Sequence, residues 1–310
     1  MRRIVWPSDN PPDWGRSVVT LGVFDGVHRG HGEVIARTVE AARQRSCPSV
    51  VVTFDRHPAA VVHGRPEPAI TSLEHRLRLF ESMGAKACVV VRFDRTVARM
   101  PAGDFVREVL QEFLAAELVV LGFNCRFGRD GQGDAAVCRR LGARMGFEVE
   151  EIPPVELDGQ PVSSTAIRRA IQEGRLRDAS RLLARPFALY GTVVRGEGRG
   201  RGLGYPTANL DLHNEITPPE GVYAALVQMD GETMSAVASV GRRETFHPER
   251  TAAAVVEVHV IDYAGSLYGR EMEVQFVSRL REQRAYATAR ELAAQIGMDI
   301  AETRRVLQEG

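Results

Sequence analysis

Lysine is almost missing from this 310-residue chain: Lys86 is the only one, so arginine supplies 39 of the 40 basic residues. A Gly-x-x-x-x-Gly-Lys loop is therefore excluded, and any phosphate must be met by Arg, His, Ser, Thr or backbone N–H groups. Cysteine is scarce as well. Cys47, Cys88, Cys125 and Cys138 form no Cys-x-x-Cys pair, which argues against a disulfide framework and for reduced thiols in a cytoplasm. An excess of charge of one sign is absent, with 40 basic against 40 acidic residues. Neither nucleic acid nor a membrane surface is thus favoured as a partner, and a basic, aromatic-interleaved pattern for nucleic acid is lacking. No apolar run approaches a membrane span, and the stretch MRRIVWPSDNPPDWG is apolar over too short a length for a signal peptide. Low-complexity linkers and internal repeats are not seen. The expectation is a soluble cytoplasmic protein whose ligands must be read from local sites.

The chain is 44% hydrophobic, and its length favours two domains over one. From Ser17 to about Arg185, short β-branched runs alternate with helical stretches. SVVTLGVF, SVVVTF, ACVVVRF, LVVLGF and FEVEEIP read as strands; HGEVIARTVEAARQR, SLEHRLRLFESMG, AGDFVREVLQEFLAA and DAAVCRRLGARMG read as helices. Strands apolar on both faces and separated by helices predict a parallel sheet, with ligands at its carboxyl edge. Near RPFALYGTVV the helices give way to short strands, and Asp230-Gly231 between two of them is a hairpin signal. Strands at this spacing predict a small barrel. RAYATARELAAQIGMDIAETRRVLQ then returns to helical periodicity. The pattern divides the chain into 1–185, an α/β unit, and 186–310, a β-barrel unit with a C-terminal helix.

GVFDGVHRGHGEV (22–34) stands where a strand ends and a helix begins, with the helix expected from near His31. Free N–H groups at a helix start, reinforced by the dipole, bind anions. His28 and His31 can add imidazole donors for charge developing on a phosphate oxygen. Taken singly, a histidine is more often a surface or satisfied residue, and zinc is a further use of histidine. Two histidines three apart, with no Cys or Glu at ligand spacing, do not make a zinc site. Gly22, Phe24, Asp25 and Gly26 beside them turn the reading toward a nucleotide.

GVFDGVHRGH resembles the Gly-x-Phe-Asp-Gly-x-His-x-Gly-His signature of the bacterial bifunctional riboflavin kinase and FAD synthetase family, a branch of the HxGH nucleotidyltransferases. VVTFDRHP (51–58), VLGFNCRFGRDGQGD (120–134) and VSSTAIRRAI (162–171) are similar to its further motifs, and the resemblance spans residues 17–286. It implies a Rossmann-like nucleotidyltransferase domain followed by a Greek-key-type barrel. In SSTAIRR, Ser163 or Ser164 can simply cap a helix; on the resemblance, Ser164, Thr165 and Arg168 also face a phosphate. The resemblance further implies that Asn124 and Arg126 line a flavin or nucleotide pocket, with Gly128 keeping the loop close to the ligand. Cys125 departs from the Phe usual there.

VVRGEGRGRGLGYPTANL (193–210) is glycine-rich, and Gly196, Gly198 and Gly202 allow close backbone approach to phosphates, though a glycine-rich hairpin alone is usually a turn. Thr207 and Asn209 add oxygen partners suited to Mg²⁺, and the stretch resembles the kinase motif of the same family. In AVVEVHV, Val256, Val258 and Val260 share one face, opposite Glu257 and His259. Glu257 in a half-buried strand ordinarily points to solvent; by resemblance it is the acid that accepts a proton from the ribityl hydroxyl. Arg281 matches a flavin-contacting arginine. Ser239 and Glu244 replace a more usual Asn and Pro. The implied activity is phosphorylation of riboflavin to FMN and adenylylation of FMN to FAD, with ATP as co-substrate and Mg²⁺. Two other readings stay open: an adenylyltransferase whose barrel only binds flavin, supported by Ser239 and Glu244, and a flavin or nucleotide sensor without turnover.

Overall fold

The computed structural model describes residues 1–64, 68–196, 204–213, 216–242 and 254–309, and the chain divides into two compact units, Met1–Ser164 and Thr165–Gly310. In the first unit the valine-rich runs become β2 (Ser17–Leu21), β3 (Ser49–Phe54), β4 (Ala87–Val91) and β5 (Ala116–Gly122), joined by β1 (Arg2–Trp6) and β6 (Glu148–Ile152). All pair in parallel, in the order β1-β4-β3-β2-β5-β6. Every residue of β2, β3 and β4 is buried, as a sheet covered on both faces requires. Leu21, Val52 and Leu121 pack on one face with Phe105 and Val109, while Val51 and Val90 pack on the other with Ile35 and Phe80. Fully burying such side chains stabilises by about 1.5–3 kcal/mol each. From β2 the chain runs through β3 to β4 on one side, then returns to β5 and β6 on the other. The order reverses between β2 and β5, and a crevice opens at their carboxyl ends.

The helices of this unit are α1 (Arg29–Gln44), α2 (Pro58–His63), α3 (Leu73–Ser82), α4 (Arg95–Ala98), α5 (Ala102–Phe105) and α6 (Ala135–Met145). Two expectations change. Helix α1 begins at Arg29 rather than near His31, with His28 as its N-cap. The helix expected over 102–116 is α-helical only through Phe105 and π-helical over Val106–Phe113, which still turns Val106, Val109, Leu110 and Phe113 inward. β1, α2 and α4 were not read from the sequence, because four to six residues are too few to show a period.

A small ribbon, β7 (Glu156–Leu157) and β8 (Gln160–Pro161), precedes α7 (Ser164–Gln172) and α8 (Leu176–Leu183). The sequence pattern groups these two helices with the α/β unit; from Thr165 onward they cluster with the second compact unit, in which α8 packs on two barrel strands. That barrel is closed and antiparallel: β9 (Phe187–Val194), β10 (Ala208–Leu212), β11 (Gly221–Met229), β12 (Glu232–Arg242), β13 (Ala254–Val260) and β14 (Glu271–Arg281). β14 returns beside β11, so β14-β11-β12-β13 is a Greek key. Asp230 and Gly231, at φ of 52° and 84°, make the hairpin turn between β11 and β12, the mirror-image type that the strand twist favours. Inside, the Phe276 ring stacks on Phe187 and meets Tyr223 edge-on, with centroids 5.9 and 5.3 Å apart. The final helix, α9 (Ala289–Glu309), packs on β11, β12 and β14.

Candidate functional site

In the first unit the turn after β2 is strained. Phe24 and Val27 hold φ of 53° and 41°, with Gly26 at 82° between them, and a non-glycine residue in this region costs on the order of 1–3 kcal/mol. Both side chains are buried in the core with Ile35 and Phe80, which keeps the turn in place. It delivers His28 to the start of α1, where Nδ1 accepts the His31 backbone N–H at 3.3 Å. In the neutral ring Nε2 then carries the proton and is a donor. The His31 ring stacks on His28 with centroids 3.6 Å apart and meets Phe24 edge-on at 5.2 Å. Gly30 explains the spacing: a Cβ there would lie 3.3 Å from Cε1 of His28, crowding the ring that caps the helix. No acidic residue occupies the first turn of α1, so the positive end of its dipole is left for an anion.

A cavity of about 1010 Å³ opens here, above the reversal point between β2 and β5. Its polar wall includes Gly22, Asp25, His31, Asn124, Arg126 and Ser164; its apolar wall includes Phe54, Pro58, Val97 and Phe105. The volume is at the upper end for small-molecule sites. Sequence-predicted residues from separate motifs thus converge. Ser164 Oγ donates to the Asp25 carbonyl at 2.9 Å, bringing the fourth motif to the first. Asp25 itself lines the cavity, but its carboxylate Oδ1 accepts the Ile70 and Thr71 N–H groups at 2.8 and 3.2 Å. Thr165 is exposed and Arg168 half-buried on α7, in the second unit.

The loop after β5 is anchored by two close approaches. At Gly128, with φ of 72°, a Cβ would lie 2.6 Å from the Ala102 Cα, so its bareness serves packing against α5 as well as the cavity it lines. Cys125 Sγ donates to the Leu21 carbonyl at 3.4 Å, tying this loop to β2. Burial pushes the Cys125 thiol up to about 12, which makes it packing and not a nucleophile. Arg126 Nη1 donates to the Cys125 carbonyl at 2.9 Å and the residue is exposed, as is Asn124.

In the barrel, β10 and β12 flank β13 so that Asn209 and Ser239 both stand in register with Glu257. Direct cross-strand partners share a face, and it is the face opposite buried Val256, Val258 and Val260. Asn209, Glu257 and His259 are half-buried there. His259 Nδ1 lies 2.9 Å from the Pro206 carbonyl and its ring meets Tyr205 edge-on, which fixes the segment carrying Thr207 beside β13. Gly196 lies so close to Asn209 that a Cβ would be 2.0 Å from Nδ2. Ser239 Oγ accepts from Gln283 Nε2 at 2.8 Å. Gly198, Gly202 and Glu244 lie outside the described residues.

Arg281 has a partner that its sequence context did not reveal. Nε and Nη2 donate to Asp299 Oδ1 and Oδ2 at 2.8 and 2.7 Å, and Nη1 donates to the Glu282 carbonyl at 3.0 Å. The Asp299 bonds push the guanidinium pKa up, and the pair fastens α9 to β14. Sequence reasoning also missed Arg76, a buried cation of α3 that bonds the strand ends beneath the His-bearing turn. A charge at an apolar register between Leu73 and Phe80 was its only signal.

Comparison with known proteins matches each half of the chain separately. A family model described as FAD synthetase matches residues 10–166, and one described as riboflavin kinase matches 183–307. A bifunctional riboflavin kinase/FMN adenylyltransferase of Pseudomonas fluorescens is 36% identical over 293 residues, 94% of each chain. One from Escherichia coli K12 is 36% identical over 284 residues, 91% of this chain and 90% of its own. A solved structure described as a macrolide-efflux protein of Streptococcus pneumoniae is 32% identical, with a TM-score of 0.81 over 98% of this chain and 99% of the other. Among the described residues no helix is long and apolar enough to cross a membrane. With both halves matched in sequence and fold, the chain belongs to the bifunctional riboflavin kinase/FMN adenylyltransferase family.

Proposed function

We propose that residues 1–185 adenylylate FMN and residues 186–310 phosphorylate riboflavin, so that one chain makes FMN and then FAD with ATP as co-substrate in both steps. The observation that carries this reading is convergence: separate motifs meet at the crevice between β2 and β5, and Glu257 stands in register with Asn209 on the barrel face.

In the first unit, an FMN phosphate oxygen attacks the α-phosphorus of ATP, the bond to the β-phosphate bridging oxygen breaks, and pyrophosphate leaves. His28 through Nε2–H, His31, and the N–H groups starting α1 donate to the phosphates, stabilising charge as it develops. Gly22, Phe24 and Gly26 shape the turn for close approach, and Ser164 is proposed to complete the nucleotide contacts. Asn124 and Arg126 are proposed to contact the flavin against the apolar wall. No covalent intermediate is needed, so alignment and charge stabilisation are the chain's contribution.

In the second unit, Glu257 takes the proton of the ribityl 5′-hydroxyl as that oxygen attacks the γ-phosphorus, and ADP leaves. Gly196, Gly198 and Gly202 are proposed to approach the phosphates. The donor set fits Mg²⁺: the Thr207 hydroxyl and Asn209 amide oxygen are hard oxygen ligands. Among the described residues no group of three His, Cys, Asp or Glu side chains could hold a metal. Bound there, Mg²⁺ would neutralise phosphate charge, while Glu257 handles the proton and Asn209 the orientation. Four free cysteines support a reducing compartment, the cytoplasm.

Incubation of the purified protein with riboflavin, ATP and Mg²⁺, followed by chromatography of the flavins, tests the reading. FMN and FAD should both appear. FAD formed only from supplied FMN would reduce the barrel to a flavin-binding module, and unchanged flavin would make the protein a sensor.

A further inference from the structure

The segment Ile70–Arg76 does not reach the cavity except through what it holds. The β2–β3 ladder ends where Gly22 N–H donates to the Val52 carbonyl at 3.0 Å. Past that point the strands part and side chains take over. Arg76 Nη1 donates to the Val23 carbonyl at 2.6 Å and to Thr53 Oγ1 at 2.7 Å, while Nη2 donates to the Phe54 carbonyl at 3.1 Å. Thr53 Oγ1 itself donates to the Val23 carbonyl at 3.1 Å. One guanidinium therefore bridges the ends of both strands beneath the catalytic turn. From the same segment, Ile70 and Thr71 N–H groups hold the Asp25 carboxylate, and Thr71 Oγ1 accepts the Gly26 N–H at 2.9 Å.

These bonds fall on residues 23, 25 and 26, on either side of the left-handed Phe24, and Val27 follows with the same backbone sign. Such backbone persists only where its surroundings over-determine it. Arg76 is 6% exposed and is not among the residues lining the cavity. Burying a cation is costly unless its hydrogen bonds are made, and an apolar side chain would satisfy the packing of α3 without that cost. What an apolar side chain lacks is a planar fork able to meet three acceptors on two strands.

We infer that Arg76 is a positioning residue for adenylyl transfer: by bridging Val23, Thr53 and Phe54 it holds the turn that orients His28 and His31, without touching substrate. The inference rests on the assignment of adenylyl transfer to this cavity.

The test uses the full chain carrying Arg76→Met, Arg76→Lys or Thr53→Val, with kcat and KM measured for FMN adenylylation. Riboflavin phosphorylation and thermal melting are followed on the same preparations. For Arg76→Met, kcat should fall by about 10- to 100-fold, the cost of a small misalignment at a phosphoryl centre, with both KM values within about threefold of wild type. Arg76→Lys keeps the charge and loses the fork, so it should recover only part of that loss. Thr53→Val should show a smaller fall, and riboflavin phosphorylation should not change. A purely structural role would lower the melting temperature while kcat per folded molecule stays at the wild-type value, and that result overturns the inference. Should Arg76→Met fail to fold, wild-type kcat in both Arg76→Lys and Thr53→Val overturns it equally. Failure of the unsubstituted chain to form FAD from FMN and ATP would instead remove the assignment beneath it.

Discussion

Gly196→Ala should separate stability from catalysis in the barrel. The new methyl carbon would stand 2.0 Å from Nδ2, 2.5 Å from Cγ and 3.0 Å from Oδ1 of Asn209, against about 3.5–4.0 Å for an unstrained contact. The φ of Gly196 lies outside the left-handed region, so alanine is compatible with the backbone and the conflict falls on one side chain. Asn209 has two rotatable bonds and can swing away, at about 0.5–1.5 kcal/mol if it settles off-rotamer. For a unit of this size that is a fall in melting temperature of about 2–6 °C. The swung amide, however, no longer stands opposite Glu257. Loss of one orienting group is expected to cost on the order of 10² in turnover, or about 2.7 kcal/mol of transition-state stabilisation. Steady-state riboflavin phosphorylation measures the effect, with FMN adenylylation by the same preparation as the control. Asn209→Ala should reproduce the loss, and the double variant should be no worse than Asn209→Ala alone, because both changes remove one group. Kinase turnover within about threefold of wild type, or additive losses in the double variant, would refute the reasoning.

Three further outcomes are expected. His28→Ala and His31→Ala should each lower FMN adenylylation by about 10²–10³-fold and leave riboflavin phosphorylation intact, with His28→Ala also losing about 0.5–2 kcal/mol through the missing cap; equal loss of both activities in a folded variant would contradict the division of labour. Glu257→Gln should reduce kinase turnover by about 10²–10⁴-fold, and a fall below about threefold in initial-rate assays removes Glu257 from the base role. Burial pushes the thiols of Cys88, Cys125 and Cys138 up to about 12, so at pH 8 only about one in 10⁴ is thiolate and reactivity should climb as pH rises toward that value. Rapid stoichiometric alkylation of any of the three in the native protein at pH 8, read by mass spectrometry, would be inconsistent with that burial.

The two histidines stand at a strand-to-helix junction that the pattern of the chain shows, whereas the roles of the Ser164 segment and Glu257 came from the family resemblance, since alternation alone leaves Glu257 facing solvent. The faces of β13 follow from alternation alone: Val256, Val258 and Val260 go in and Glu257 goes out. The start of α1 is less legible, since an imidazole acting as N-cap looks the same in sequence as one in the first turn; only the bond from His31 N–H to His28 Nδ1 decides it. Arg281 shows the opposite limit. The resemblance implies a flavin contact for it, and its partner Asp299, 18 residues away on another element, is not visible in the chain.

What the sequence by itself determined is local: which stretches are strands or helices, which side of each is apolar, and that no lysine-based phosphate loop exists. Only the tertiary structure decided which residues meet. Asn209 faces Glu257, Ser164 reaches Asp25 and Arg76 spans two strand ends because strand order and register bring distant segments together. Those are products of long-range packing, in which burial and ladder hydrogen bonds select one arrangement among many that share the same local pattern.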